Sequence, residues 1–368
     1  MNARPSETPL TEEARRDELL RLSLREEIQR NGPIRFDRFL EKVLFDPRAG
    51  YYALDREILG RTGDFRTAPE VHPIFGATWA APVTEALGAP GRRGTLIELG
   101  PGRGYLLEGL LPELVRRGYG PDSLDVWVVE RRPLTGKGWE KVRGMGFPFH
   151  PVPRLEELPS LPRAVVLANE FLDALPFRRL RSSPPVWREI RVGAPSELPG
   201  GLGWVEGETV PPDPEGLPEA PMGTIYDLPS GGEGALELLL QRVERGRFLL
   251  ADYGDETPGL LQRKPEGSLE THSHHSVGLD PFVRLGSQDI SCWVDFSRVR
   301  VRLERAGWAV EPLQTQTEAL VHWGLEDRWR EMERSLREND PARVVAQLSL
   351  KTLLHQYASH RVLVASRG

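Results

Sequence analysis

Thr95-Leu96-Ile97-Glu98-Leu99-Gly100-Pro101-Gly102-Arg103-Gly104 is the stretch on which the fold turns. A short apolar run ends in three glycines at alternate positions, and a helical pattern follows over 105–117. Strand, glycine turn and helix in that order open a nucleotide-binding α/β unit. Glycines there let the backbone approach a ligand and take angles closed to other residues. The helix start beyond them presents unpaired N–H groups. The spacing is Gly-x-Gly-x-Gly, not the Gly-x-Gly-x-x-Gly of dinucleotide sites, and Glu98 stands two places before the first glycine. A carboxylate in that place repels a pyrophosphate and suits an ammonium group. No Gly-Lys-Ser/Thr follows, which excludes a phosphate P-loop. A ligand-free glycine turn and a nicotinamide site are the competing readings of these ten residues alone.

The next apolar run, 125–130, ends in Glu130, whose carboxylate is placed to accept both hydroxyls of a ribose. An adenosine and an α-amino group without a phosphate describe S-adenosylmethionine. Further apolar runs at 164–168, 247–251, 308–310 and 360–364 alternate with helical patterns at 133–143, 235–245 and 296–306. Continuous apolar strands separated by helices predict an α/β fold with a mostly parallel, Rossmann-like sheet covered on both faces. Residues 1–90 read as a helical lid region, with helices over 11–30, 34–44 and 74–87, a loop over 46–70 and no strand alternation. Residues 91–368 read as the sheet domain, interrupted by insertions over about 177–234, 254–295 and 313–356. The first insertion is rich in Pro and Gly with short β-like pieces, the second is polar, and the third is mostly helical.

In open α/β sheets ligands bind beyond the carboxyl ends of the strands. The run 164–168 leads into Asn169-Glu170-Phe171-Leu172-Asp173, which brings two carboxylates, an amide and an aromatic ring to that edge. A methyl transfer from a sulfonium is an in-line displacement, so the protein chiefly positions the acceptor. For a guanidinium acceptor, carboxylates pair with its fork of N–H groups. Glu170 and Asp173 are the candidates for that work; a cap and a surface ion pair are the bland alternatives. His272, His274 and His275 form a tight group, but no cysteine accompanies them and the spacing fits no familiar zinc pattern, so no metal is expected.

Composition sets the bounds. A chain of 368 residues, 39% apolar, can build a sizeable core. A formal charge of −6 gives no global pull toward nucleic acid or an anionic membrane, and neither is expected as a partner. No uncharged apolar run approaches membrane-spanning length, and membrane insertion is not expected. Cys292 is the only cysteine, so an intrachain disulfide is impossible. The N-terminal segment mixes Glu7, Glu12 and Glu13 with Arg4, Arg15 and Arg16 and has no apolar core of signal type. A cytoplasmic location is the expectation.

Taken together these residues resemble the MidA-like family of S-adenosylmethionine-dependent methyltransferases, to which the mitochondrial complex I assembly factor that methylates a protein arginine belongs. Gly32-Pro33-Ile34, Asp46-Pro47 and Gly50-Tyr51-Tyr52 look like its opening block, and Gly63 to Glu70 with Phe75-Gly76 look like its second. The glycine stretch, Ala168 to Pro176, Trp187-Arg188-Glu189, Asp252-Tyr253-Gly254, His275, Val294-Asp295-Phe296 and Thr315-Gln316 follow in order. His72, Ala77, Leu172 and Asp227-Leu228-Pro229 depart from the pattern, and they bear on the acceptor more than on the cofactor.

The resemblance implies a class I methyltransferase sheet of seven strands. It implies S-adenosyl-L-methionine, held by Glu98, Gly100, Pro101, Gly102, Gly104 and Glu130 together with Thr67, Pro69 and Glu70, and leaving as S-adenosyl-L-homocysteine. Asn169, Glu170, Asp173 and His275 stand as its catalytic set. It implies arginine methylation on a protein, with a respiratory complex I subunit as the candidate substrate and a homodimer as the candidate assembly. A non-catalytic, cofactor-binding assembly factor and a small-molecule methyltransferase are the alternative readings.

Overall fold

In the computed structural model the described residues are 11–53, 67–195, 201–213, 215–273, 276–337 and 340–368. They gather into two compact units. The larger holds Glu57–Leu175, Pro229–Arg263 and Trp293–Gly368; the smaller holds Met1–Arg56, Pro176–Leu228 and Lys264–Cys292.

The larger unit is built on seven strands: β1 Gly94–Leu99, β2 Leu124–Val129, β3 Phe149–Val152, β4 Ala164–Asn169, β5 Gly246–Asp255, β6 Ala309–Val310 and β7 His360–Arg367. Their order across the sheet is β3-β2-β1-β4-β5-β7-β6. All neighbours run parallel except β7, which is antiparallel to both β5 and β6. Two-residue strands at Val294–Asp295 and Gln314–Thr315 add to β5 and β7. This is the class I methyltransferase sheet that the sequence predicts.

Alternation along the strands divides the apolar residues between two cores. Leu96, Val126, Val128, Val165, Leu167, Leu249, Val362 and Val364 face one. Ile97, Leu99, Val129, Val166, Ala168, Phe248, Leu250 and Leu363 face the other. The first core is closed by Phe75 and Trp79 of the helix Ile74–Leu87, by Leu106, Leu107 and Leu110 of Tyr105–Arg116, and by Trp139 and Val142 of Lys137–Gly144. The second is closed by Leu236 and Leu239 of Ser230–Arg242 and by Val299 and Leu303 of Phe296–Arg305. Both faces being buried is why the strands are apolar throughout.

The division of the chain differs from a boundary near residue 90. The helix Ile74–Leu87 belongs to the sheet unit because it lies directly on Tyr105–Arg116. A Cβ on Gly76 would stand 2.4 Å from the carbonyl oxygen of Leu106, and one on Gly109 would stand 2.2 Å from that of Pro73. Only a glycine at each of these positions allows so close an approach. The third insertion also belongs here, as the helices Gln316–His322, Leu325–Ser335 and Pro341–His355.

The smaller unit combines the helices Glu12–Asn31 and Phe36–Phe45 with the first insertion and much of the second. Its antiparallel sheet runs Ile34–Arg35, Val186–Gly193, Arg178–Ser183, Ile225–Leu228, with Gly203–Thr209 also on Val186–Gly193. Ile34 pairs with Val192 and Arg35 with Arg191, so the N-terminal region does contain a strand. Two residues are too few to show alternation. Phe36, Phe39, Phe177, Trp204 and Phe282 pack ring against ring, joining all three chain segments of this unit. The buried carboxylate of Asp227 accepts from Arg179 and from the N–H groups of Ser268 and Leu269. A second sheet of three short antiparallel strands, Ser276–Gly278, Glu270–Ser273 and Asp289–Ser291, completes it.

Candidate active site

Parallel strands end at one edge of the sheet, and the chemistry-bearing residues of the larger unit collect there. Glu98 lies on β1 with the parity of Leu96. It is 3% exposed, and its Oε2 has no hydrogen-bond partner among the described residues. Burial, and then the nearby Glu130 charge, push its pKa up to about 8. A buried carboxyl group with an unanswered oxygen calls for a donor. The ammonium of an amino acid moiety is such a donor, so this position fits the methionine end of S-adenosylmethionine.

Beyond β1, Gly100, Gly102 and Gly104 have φ of 58°, 51° and 77°, in the left-handed region that favours glycine. The turn closes with the Gly104 N–H donating to the carbonyl of buried Pro101 at 2.8 Å. Gly104 then begins the helix Tyr105–Arg116. Two contacts fix the loop from outside. Trp139 Nε1 donates to the Gly102 carbonyl at 2.8 Å, and the Gly102 N–H donates to Glu130 Oε2 at 3.2 Å. The other Glu130 oxygen accepts from the Arg132 N–H at 2.9 Å. A carboxylate has about four acceptor positions, so two remain for ribose hydroxyls. A Cβ on Gly100 would stand 2.8 Å from the Phe171 ring, which brings the glycine loop against the segment after β4.

That segment begins with strained backbone. Glu170 has φ 51°, a conformation that costs a non-glycine residue about 1–3 kcal/mol and that clusters at functional sites. Its Oε1 accepts from Asn169 Nδ2 and from the Ala68 N–H, each at 3.3 Å. Ala68 opens the short helix Ala68–Val71, for which Thr67 is the extended N-terminal residue, Pro69 lies in the first turn, and the Glu70 N–H donates to the Thr67 carbonyl at 3.0 Å. The structure thus sets the Thr67–Glu70 segment against Glu170. His275 and residues 63–66 lie outside the described residues.

Two residues that the sequence did not assign to the site complete it. Asp252, 1% exposed on β5, accepts through Oδ2 from the N–H groups of Phe171 at 3.2 Å, Leu172 at 2.8 Å and Asp173 at 3.3 Å. Its Oδ1 accepts from the Tyr253 N–H at 2.9 Å. Burial and the Glu170 charge raise its pKa, against the pull of His360 and of the Leu172 and Asp173 N–H groups. His360 opens β7, and because β7 runs antiparallel its first residue reaches the same edge, opposite Tyr253. It is fully buried, and its Nε2 lies 3.7 Å from Glu170 Oε1. The signal in the sequence was a polar residue at the head of a strand otherwise apolar. Burial and the surrounding Glu170 and Asp173 carboxylates push the Tyr253 hydroxyl pKa upward, so it stays a neutral donor. His72 accepts the Ile74 N–H on Nδ1 at 3.1 Å, and burial lowers its pKa.

Among the described residues no group of three His, Cys, Asp or Glu could hold a metal ion, and no helix is long and apolar enough to cross a membrane.

Residues 77–313 match the profile of a family described as S-adenosyl-L-methionine-dependent methyltransferases. The Xenopus laevis protein arginine methyltransferase NDUFAF7, mitochondrial, is 29% identical over 337 residues, covering 82% of this chain and 73% of that protein. The Homo sapiens protein of the same name is 27% identical over 339 residues, covering 85% and 74%. A Burkholderia thailandensis protein crystallised with S-adenosyl-homocysteine superimposes with a TM-score of 0.83 at 27% identity, covering 98% of this chain and 95% of that one. The glycine loop, the unanswered Glu98 and the seven-stranded order agree with these likenesses, and the chain belongs to the MidA-like family of S-adenosylmethionine-dependent methyltransferases.

Proposed function

We propose that this methyltransferase acts on an arginine side chain of a protein, and that a respiratory complex I subunit is the protein. The observation that carries the acceptor reading is Glu170: a carboxylate on left-handed backbone, fixed by Asn169 and the Ala68 N–H, at the sheet edge that also carries Glu98. Two relatives named protein arginine methyltransferases support it.

When bound, S-adenosylmethionine supplies an electrophilic methyl group on a sulfonium. The chain's own residues do the rest. Glu98, once ionised, holds the ammonium by a charge-assisted hydrogen bond. Glu130 accepts the ribose hydroxyls, and the positive-φ glycines keep the loop free of side chains where the ligand approaches. At the acceptor, Glu170 and Asp173 accept guanidinium N–H groups and draw positive charge toward the nitrogens that do not react. An arginine does not lose its proton in water, so one N–H proton leaves the guanidinium around the transfer, and Glu170 Oε receives it.

The test is incubation of the full chain with labelled cofactor and fractionated lysate. Label in methylarginine on a protein band is expected. Label only in a small-molecule fraction would overturn the acceptor reading. So would cofactor binding with no transfer while a respiratory subunit is still pulled down; that result would favour the assembly-factor reading.

A further inference from the structure

We infer that His360 is a positioning residue for methyl transfer, taking up through Glu170 the proton that leaves the acceptor guanidinium. The inference rests on the arginine reading above.

Its basis is a buried group that packing does not explain. His360 is fully buried, yet neither Nδ1 nor Nε2 has a hydrogen-bond partner among the described residues. Burying one polar group without a partner costs on the order of 1–3 kcal/mol, and a phenylalanine would fill the same slot without that penalty. The ring is held in place, its centroid 3.9 Å from that of Tyr253 and 4.8 Å from that of Tyr357, which meets it edge-on. So held, it aims Nε2 at Glu170 Oε1 across 3.7 Å, a few tenths of an ångström beyond a hydrogen bond. Glu170 stands between His360 and the place where an acceptor is held.

Acidic groups surround this imidazole. Glu170 faces it from the end of β4 and Asp252 lies on the adjoining strand, where His360 acts on its ionisation. Asp173 bears on the hydroxyl of Tyr253, the ring packed against His360. Tyr253, its hydroxyl pKa raised, is neutral. The guanidinium of Arg361, the next residue along the strand, donates to the carbonyl oxygens of Ala358 and His360 and approaches Asp255.

The step balances. A guanidinium N–H bond breaks and leaves its electron pair on nitrogen; nitrogen uses a pair to form the new N–C bond as the bond from the methyl carbon to sulfur breaks, its pair staying on the sulfur of S-adenosyl-homocysteine. The proton moves to Glu170 Oε and on to the lone pair of His360 Nε2. The same path returns it to solvent after the product leaves. With the proton stored behind Glu170, the carboxylate is again negative and holds the methylated guanidinium.

The experiment compares the full chain with His360→Gln and His360→Phe. The phenylalanine keeps the ring packing and serves as the folding control; S-adenosyl-homocysteine affinity should match the parent and the melting temperature should be no lower. Both variants should lower kcat by about 100-fold, the scale of general acid–base assistance, with KM within a few-fold. The kcat–pH profile of both variants should differ in shape from the parent's. A parent-like kcat in His360→Phe overturns the inference, as does a fall in kcat that is uniform across pH. A second measurement needs no turnover. In the apo protein labelled with 15N-histidine, Glu170→Gln should move the Nε2 resonance of His360 and leave those of His150 and His322 in place. An unmoved His360 resonance overturns the pairing even if arginine transfer is found. If the parent transfers no methyl group to protein, the acceptor reading fails, and the resonance alone decides the pairing.

Discussion

At Glu98 burial and charge work against each other. With a pKa near 8, the carboxyl group keeps a proton that the unfolded chain, with an ordinary value of 4.5, has already released. Between those values the native state binds more protons than the unfolded one, so this group makes stability fall as pH rises. An arriving ammonium needs the carboxylate, and the proton must then leave. We expect S-adenosyl-homocysteine binding to release close to one proton near neutral pH. Affinity should rise by up to about tenfold per pH unit and level off above pH 8. Calorimetry in buffers of different ionisation enthalpy measures that proton directly; binding with no proton release would contradict the assignment. Glu98→Gln should abolish the pH dependence and weaken binding by about 10- to 100-fold, the scale of one charge-assisted hydrogen bond.

Glu170→Gln tests the other end of the site. It keeps shape and removes a charge, so its loss should fall on the transition state rather than on the cofactor. Transfer measured with labelled cofactor should drop on the order of 100-fold, with S-adenosyl-homocysteine affinity within a few-fold. Transfer at the parent rate would mean that Glu170 does not hold the acceptor. Glu98, Glu130 and Glu170 were legible in the sequence because each closes an apolar run, and the end of a parallel strand has a known address. Asp252 also closes an apolar run and stands in the Asp252-Tyr253-Gly254 motif, but its role and that of His360 were not legible. Their partners come from chain segments about 80 to 190 residues away, and nothing local marks a carboxylate that will collect N–H groups from another strand's loop. The left-handed backbone of Glu170 has no sequence sign either, because its residue type argues against it.

Among the elements, the segment after β4 owes its shape to one side chain. Phe171, Leu172 and Asp173 all direct their N–H groups at Asp252 Oδ2. Asp252→Ala leaves those donors and that of Tyr253 unanswered in a buried place. We expect a loss of more than about 3 kcal/mol from the denaturation midpoint, since each unsatisfied group costs about 1–3 kcal/mol. Asp252→Asn keeps one acceptor oxygen and should lose less. Equal losses would show that the N–H groups do not depend on the carboxylate. Strands β1, β2, β4, β5 and β7 were legible because both faces are buried and the runs are apolar throughout. Strand β3, Phe149–Val152, was not read from its residues. It is an edge strand, half-exposed, and carries Pro151, which an edge tolerates and a central strand does not. In the smaller unit the β-like pieces of the first insertion, 178–180 and 187–192, are the strands Arg178–Ser183 and Val186–Gly193, but the sheet they form was missed: its other strands come from N-terminal and inserted segments, and pairing at such separation leaves no local period.

At the scale of the molecule, the chain leaves the larger unit twice and returns, so that unit is assembled from three stretches around one ligand edge. The Glu98, glycine-loop and Glu130 positions all lie on the first of those stretches. Glu170 belongs to the same stretch, but it is held against the other two through Asp252 and His360. Ligand binding and acceptor positioning are therefore separable, and thermal denaturation can separate them. A ligand that binds only the folded state stabilises it by mass action, by about 2.7 kcal/mol at one hundred times its Kd. S-adenosyl-homocysteine should raise the melting temperature of the parent by a few degrees at that concentration, and NAD should not, because a pyrophosphate would face Glu98. Glu170→Gln should keep the full shift, since its carboxylate lies on the acceptor side. Glu98→Gln should lose most of it. A shift produced by NAD and not by S-adenosyl-homocysteine would overturn the ligand assignment; a shift lost equally in both variants would mean that one site, rather than two adjoining ones, occupies the sheet edge.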